Sequence, residues 1–382
     1  MKRLFVIAVL LTAVGFSTTH AQQEPPCENR FRNPYVIPEI CPEYVLENFA
    51  KWSDAPYGID SVRHLAFDAE GKLYFTSPAH RAVFRMRPVG AYRFSAPEKF
   101  AELPQAPNGI AYSDEEDALF VSGDSSLWRI SLEGQVATLV DDLPRGAGGW
   151  LGQILIGGDG RLYVGKGTSR DDRRDSDPRR GALLSVALDG SEMHIVAVGL
   201  RDPSAVVQIG EWLYVLDSER AAFPAELNRL RRGELADFGF PHCNSLGQMV
   251  LPAADCSLTT KPILTFAAES TPSAMVYYDH PHFARLRADF RGSLIVALAG
   301  SWNAATISGY ELIQVTLADG LPTAHKFIPD YFGQSTSDAA LLRASFYPYR
   351  ISGLAVSPEG WLYAAIADGY IYRFRLRSAP GQ

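Results

Sequence analysis

The side chains best suited to chemistry in this chain stand beside short apolar runs. His64 opens one such run, His64 to Phe75, where an uncharged imidazole would be placed to take a proton from a hydroxyl. The plainer expectation is a hydrogen-bonded histidine. Lys166 ends another run and offers a fixed cation to an anionic ligand, or is an ordinary exposed lysine. His280 and His282, with Asp279 before them, have the form of a metal pair but fall where a solvated turn is expected. Arg170 to Arg180 alternates both charge signs with almost no apolar residue, which reads as solvated surface. No Gly-rich loop enters a helix and no G-x-S-x-G elbow is present, so nucleotide-dependent and α/β-hydrolase chemistries are disfavoured. Oxidation by a bound cofactor, metal-assisted hydrolysis and simple binding remain.

The elements that must position these groups form an internal repeat. An apolar run, a tight turn and a second run ending in an aromatic or small apolar residue recur six times, starting at His64, Gly109, Gln153, Ser204, Ser273 and Gly353. Most copies place a glycine in the turn, where a positive φ is needed, and most continue into a third run. Six units of three or four strands without helical periodicity predict an all-β, six-bladed β-propeller over residues 44–382. In that fold His64 would face the central channel. The last run leaves an outer edge uncovered, and Tyr44 to Phe49 is suited to pair with it, so the N-terminal strand is expected to close the ring. Residues 22–43 are then a lead-in. Unequal spacing puts insertions at Arg170 to Arg180, Ala221 to Ser270 and Asp319 to Tyr349.

Residues 1–21 read as a signal peptide: Lys2 and Arg3, an apolar stretch from Leu4 to Gly15, and Thr19-His20-Ala21 before the cleavage point. The mature chain is therefore expected to be secreted or periplasmic, with no membrane span. Losing Lys2 and Arg3 moves the formal charge of −7 to −9, which gives no basic field for nucleic acid. Cys27 with Cys41 and Cys243 with Cys256 are the natural local disulfides in an oxidising compartment, although four cysteines permit three pairings.

A set of motifs resembles the glucose/sorbosone dehydrogenase family. They are Gly199-Leu-Arg-Asp-Pro203, Asp217-Ser-Glu219, Glu226-Leu-Asn228 and Phe238-Gly-Phe-Pro-His-Cys243, supported by Pro107-Asn-Gly109, Gly300-Ser-Trp-Asn303 and Tyr349-Arg350. The resemblance spans roughly Arg63 to Leu376. It implies a six-bladed propeller that oxidises a sugar, polyol or aldehyde with pyrroloquinoline quinone (PQQ) and calcium, and passes electrons to an acceptor protein. Arg201 and Arg350 match the family's cofactor-contacting arginines, whose planar forked donors suit the rim of a tricarboxylate. Asp202, Lys166, Asn108 and Gln153 fall at neighbouring cofactor positions, and Asp217 and Glu219 at the metal. An ion pair from Arg201 to Asp202 or Glu219 is the structural alternative.

Three departures accompany the resemblance. Gly149 stands where the family's enzymes carry the general-base histidine, and Gln153 where an arginine follows it. Asp202 replaces an asparagine, and Ala299 a frequent histidine. Arg220 to Ala225 lacks the Gly-Pro and acidic pattern of the calcium loop. His64 is the replacement candidate for the base. Two other classes stay open: a calcium-dependent lactonase built on Asn108, Asp217 and Glu219, and a non-catalytic propeller that binds a sugar or a protein.

Overall fold

The computed structural model describes residues 39–47, 49, 61–146, 151–220, 222–252, 254–301, 308–317, 322–328 and 350–377. The expected leader, Cys27 and Gly149 lie outside the described residues, as do 302–307 and 329–349.

The chain begins with β1 (Ile40–Leu46), which joins the last sheet. Sheet one holds β2 (Leu65–Phe67), β3 (Leu73–Ser77), β4 (Ala82–Met86) and β5 (Glu98–Glu102), and sheet two holds β6 (Ile110–Ser113), β7 (Ala118–Ser122), β8 (Leu127–Ser131) and β9 (Val136–Val140). Sheet three is β10 (Leu155–Ile156), β11 (Arg161–Lys166), β12 (Ala182–Ala187) and β13 (Met193–Val198). Sheet four is β14 (Pro203–Ile209), β15 (Trp212–Asp217) and β16 (Pro224–Arg231); the chain then lays β17 (Ala236–Asp237) parallel to β13 before β18 (Leu264–Ala268) completes sheet four. Sheet five is β19 (Pro272–Tyr278), β20 (Ser293–Leu298), β21 (Glu311–Thr316) and β22 (Thr323–Ile328), and sheet six is β23 (Ile351–Val356), β24 (Leu362–Ile366) and β25 (Tyr370–Leu376) with β1. The innermost strands touch in circular order, β2, β6, β10, β14, β19, β23 and back to β2, so the six sheets are the blades of a propeller.

The repeat's sequence pattern has a direct cause in this packing. Second strands such as β3, β7, β20 and β24 are buried at every residue because each blade is covered on both faces. Six apolar clusters fill the six gaps between neighbouring blades. The hairpin turn needs positive φ, which Gly71, Gly160, Gly210 and Gly360 supply; Asp117 takes it at 47° in the second unit, which has no glycine there. At the axis, hydroxyls bond from blade to blade: Thr76 Oγ1 donates to the Asn108 carbonyl, Ser122 to Gly152, Ser273 to Ile351, and Ser352 to Arg63. These satisfy inner-edge carbonyls that would otherwise be buried without partners.

Three expectations change. The N-terminal strand starts at Ile40, not Tyr44, because β1 pairs with β25 from Ile40↔Leu376 onward. Residues 221–270 are not a simple insertion, since they supply β16, β17 and β18. His280 and His282, expected in a solvated turn, belong to a single helical turn at Pro281–Ala284 instead: the His280 ring caps it by accepting the His282 amide, and His282 Nε2 accepts the Leu376 amide at 2.9 Å, next to the β1–β25 seam. Cys243 and Cys256 are bonded to each other, and Cys41 is also disulfide-bonded.

Candidate functional site

The blades' inner strands start around one end of the axis and enclose a cavity of about 240 Å³ there. Its walls carry Arg63 and His64 from blade one, Asn108 from blade two, Asp202 and Ser204 from blade four, and Arg350 from blade six. Gly152 and Thr271 to Ser273 complete the ring. The blades approach closely: a Cβ on Gly152 would come within 2.6 Å of the Ser204 carbonyl oxygen, and one on Gly353 would collide with that of Arg63.

His64 is held by its backbone, whose N–H donates to Thr76 Oγ1 and whose carbonyl accepts from Thr76. The residue lines the cavity. Burial, with the neighbouring Arg63 charge, pushes its pKa down to about 3, so the imidazole is neutral at physiological pH. Asp202 looks into the same space from the opposite side of the ring, and burial raises its pKa against the pull of Arg201, Lys166 and Arg63. Asn108 donates its amide to the Leu151 carbonyl at 2.6 Å. Two guanidinium groups against one carboxyl leave the cavity net positive.

Other residues singled out from sequence have different employment. Arg201 does not line the cavity. Its guanidinium grips Asp171 of the 170–180 loop at 2.9 Å, so the ion pair expected with Asp202 or Glu219 forms with Asp171 instead. Lys166 is fully buried, not an exposed lysine; its ammonium donates to the Asp124 carbonyl at 2.7 Å, and burial lowers its pKa. Gln153 reaches past blade four to blade five, where its side-chain amide donates to the Met275 carbonyl at 2.9 Å and accepts from the Met275 N–H at 3.2 Å. Arg350 lines the cavity, yet it donates to the carbonyls of Ala299, Gly300 and Ser301 and lies over the Tyr310 ring.

The motif block from Gly199 to Cys243 is one structural knot. Asp217 accepts the backbone N–H groups of Arg201 and Asp202 at 2.8 and 2.7 Å. The Phe240 N–H donates to the Gly199 carbonyl, and a Cβ on Gly199 would meet Asp237 and Gly239, so only glycine fits. This arrangement does not suit calcium. Both Asp217 oxygens are occupied by N–H donors, Glu219 accepts the Arg220 N–H, and Glu226 accepts from Asn228 at 2.7 Å. Among the described residues no three His, Cys, Asp or Glu side chains are grouped to share an ion.

Burial, and then the facing Glu226, raise Asp217 well above the usual carboxylate range; burial also brings Glu226 up to about 7. A folded-state pKa above the unfolded value means that the native protein binds more protons between about pH 4.5 and 7, so stability falls as pH rises through that window. The melting temperature is expected to drop between about pH 5 and 8, and Glu226→Gln to flatten that dependence; thermal scans across the range check it.

Sequence reasoning missed Arg63, Ser204 and Thr271. No repeat position marks Arg63, which stands one residue before its unit whereas Arg350 stands three before its own.

These features define a six-bladed propeller with a polar, net-positive axial cavity. A family model described as "Strictosidine synthase-like, N-terminal" matches residues 353–374, the last three-strand unit. No curated protein is significantly similar in sequence. Among solved structures, the holo form of the PQQ domain of pyranose dehydrogenase from Coprinopsis cinerea superposes with a TM-score of 0.71 at 13% identity, covering 89% of this chain and 96% of that one. The calcium structure of a carbohydrate-active enzyme of family AA12 from Trichoderma reesei gives 0.67 at 15%, covering 91% and 98%. The PQQ-bound aldose sugar dehydrogenase from Streptomyces coelicolor gives 0.62 at 17%, covering 93% and 100%. The shared property at these identities is the fold.

Proposed function

We propose that this is an exported, quinone-linked sugar or aldehyde dehydrogenase-like protein whose axial cavity takes PQQ together with a small hydroxyl-bearing substrate. The observation that carries the reading is a neutral imidazole, His64, lining a net-positive cavity on the fold shared with PQQ-dependent sugar dehydrogenases. Arg63 and Arg350 would balance the carboxylates of PQQ, and Asn108 and Ser204 supply uncharged polar atoms beside them. PQQ, when bound, supplies an ortho-quinone able to accept hydride from a carbinol carbon. His64 would hold the substrate hydroxyl and receive its proton, and the close-packed inner strands would keep bulk water to the mouth side. An external acceptor, protein or small molecule, would have to reoxidise the quinol. Calcium has no place in this proposal at Asp217 and Glu219.

A second reading, a propeller that binds its ligand without turnover, is favoured by one observation. Arg201, Gln153 and Arg350 already spend hydrogen bonds on the scaffold. Titration with PQQ, followed by quinone absorbance and melting temperature, separates the two. Arg63→Ala is expected to weaken binding by about 10- to 100-fold, whereas Arg201→Ala, which removes a partly exposed ion pair, changes it by less than about threefold. Saturable binding without oxidation of any sugar or aldehyde would select the second reading. No binding would sink both PQQ assignments.

A further inference from the structure

We infer that an anionic ligand in the axial cavity arms His64, raising the proton affinity of an imidazole that is a very weak base in the empty protein, so that the filled site draws a proton from acidic solution and, at neutral pH, from a bound hydroxyl. The inference rests on the cavity's assignment as an anion site. Its basis is placement: His64 is buried, it lines the cavity, and no described side chain or backbone group hydrogen-bonds its ring. The charged groups around it are Arg63 on its own strand lead, Asp202 across the axis on blade four, and Arg350 on the adjoining blade six. Two of the three are cationic; burial, and then the adjacent Arg63 charge, hold the ring neutral, with a pKa of about 3.

An anion in this space reverses the balance. One negative charge about 5 Å from the ring, at the effective dielectric of a protein interior, changes a protonation constant by on the order of a hundred-fold, and a tricarboxylate brings more than one. The ligand also offsets the Arg63 charge that helps keep the ring uncharged. A base with a pKa near 3 is too weak to assist removal of a hydroxyl proton at neutral pH, and one raised towards 6 or 7 is well matched to it. The anion would therefore bind first and make the base competent for the neutral substrate, an order of events that Gly149 in place of a dedicated histidine leaves to the ligand itself.

The sign follows from linkage. A group whose pKa rises on binding takes up a proton between its free and bound values, so anion affinity is higher at low pH and falls as pH rises through the bound pKa. The test is calorimetric titration of the full mature chain with PQQ, in pairs of buffers with different ionisation enthalpies, at several values between about pH 5 and 8. Wild type is expected to take up close to one proton per PQQ at the low end; Asp202→Asn is expected to retain most of that uptake and His64→Gln to lose it. The His64 ring resonance, assigned by its absence in His64→Gln, should move from the neutral to the protonated position in the wild-type protein as PQQ is added. Binding with no uptake, or with uptake unchanged in His64→Gln, overturns the inference and leaves the PQQ site standing. Absence of PQQ binding at every pH overturns both.

Discussion

Replacing Glu43 with glutamine is expected to lower the free energy of unfolding by about 3–5 kcal/mol. Glu43 comes from β1, and its carboxylate receives Arg373 at 2.9 Å and Arg375 at 2.7 Å from β25. The guanidinium side chains are only 3% and 2% exposed, and Glu43 is 15% exposed, so water screens little of this interaction. Aromatic faces lie beside both: Arg373 is 4.7 Å from the Trp361 ring centre and Arg375 is 5.4 Å from that of Tyr92, and Arg373 also donates to the Tyr92 carbonyl at 3.2 Å. One carboxylate thus receives two buried cations, and glutamine would take that charge away from both. Denaturant unfolding of the mature protein checks this. A loss below about 1 kcal/mol would mean that the aromatic faces hold the arginines without the carboxylate.

The other large effect concerns His64. Under the proposed function, His64→Gln is expected to reduce turnover of the best sugar or aldehyde substrate by about 10²- to 10⁴-fold while changing KM little. Glutamine keeps a polar side chain in the cavity but cannot accept the proton. The His64 ring makes no hydrogen bond to any described residue, so the melting temperature should barely move. Steady-state kinetics beside a thermal scan separate the possibilities. Undiminished turnover would place the base elsewhere, and an equal fall in stability would make His64 a packing residue.

The propeller was legible because its repeat has a physical cause that is local in sequence. A blade strand covered on both faces must be apolar throughout, and a tight hairpin needs a residue at positive φ, so Leu-Tyr-Phe after Gly71 and Leu-Tyr-Ala after Gly360 announce the same element. The disulfide between Cys243 and Cys256 was legible as well, from proximity alone. Residue roles were less so. Arg201 and Arg350 are the same residue type and follow the same motif logic, yet one ends on Asp171 outside the cavity and the other inside it on three carbonyls. The family resemblance puts Asp217 and Glu219 at a metal, but the N–H groups of Arg201 and Asp202 fill the oxygens of Asp217.

By itself the sequence determined the number of blades, the turn positions and the alternation of runs, because backbone dihedrals and burial act over a few residues. Tertiary structure alone decided which polar groups meet. The partners of Gln153, Arg201 and Glu43 lie 122, 30 and 330 or more residues away, and no local pattern encodes such a distance. The neutral state of His64 is likewise a property of the closed ring, since it depends on burial and on Arg63 held at its side, and both exist only once blade six has been packed against blade one.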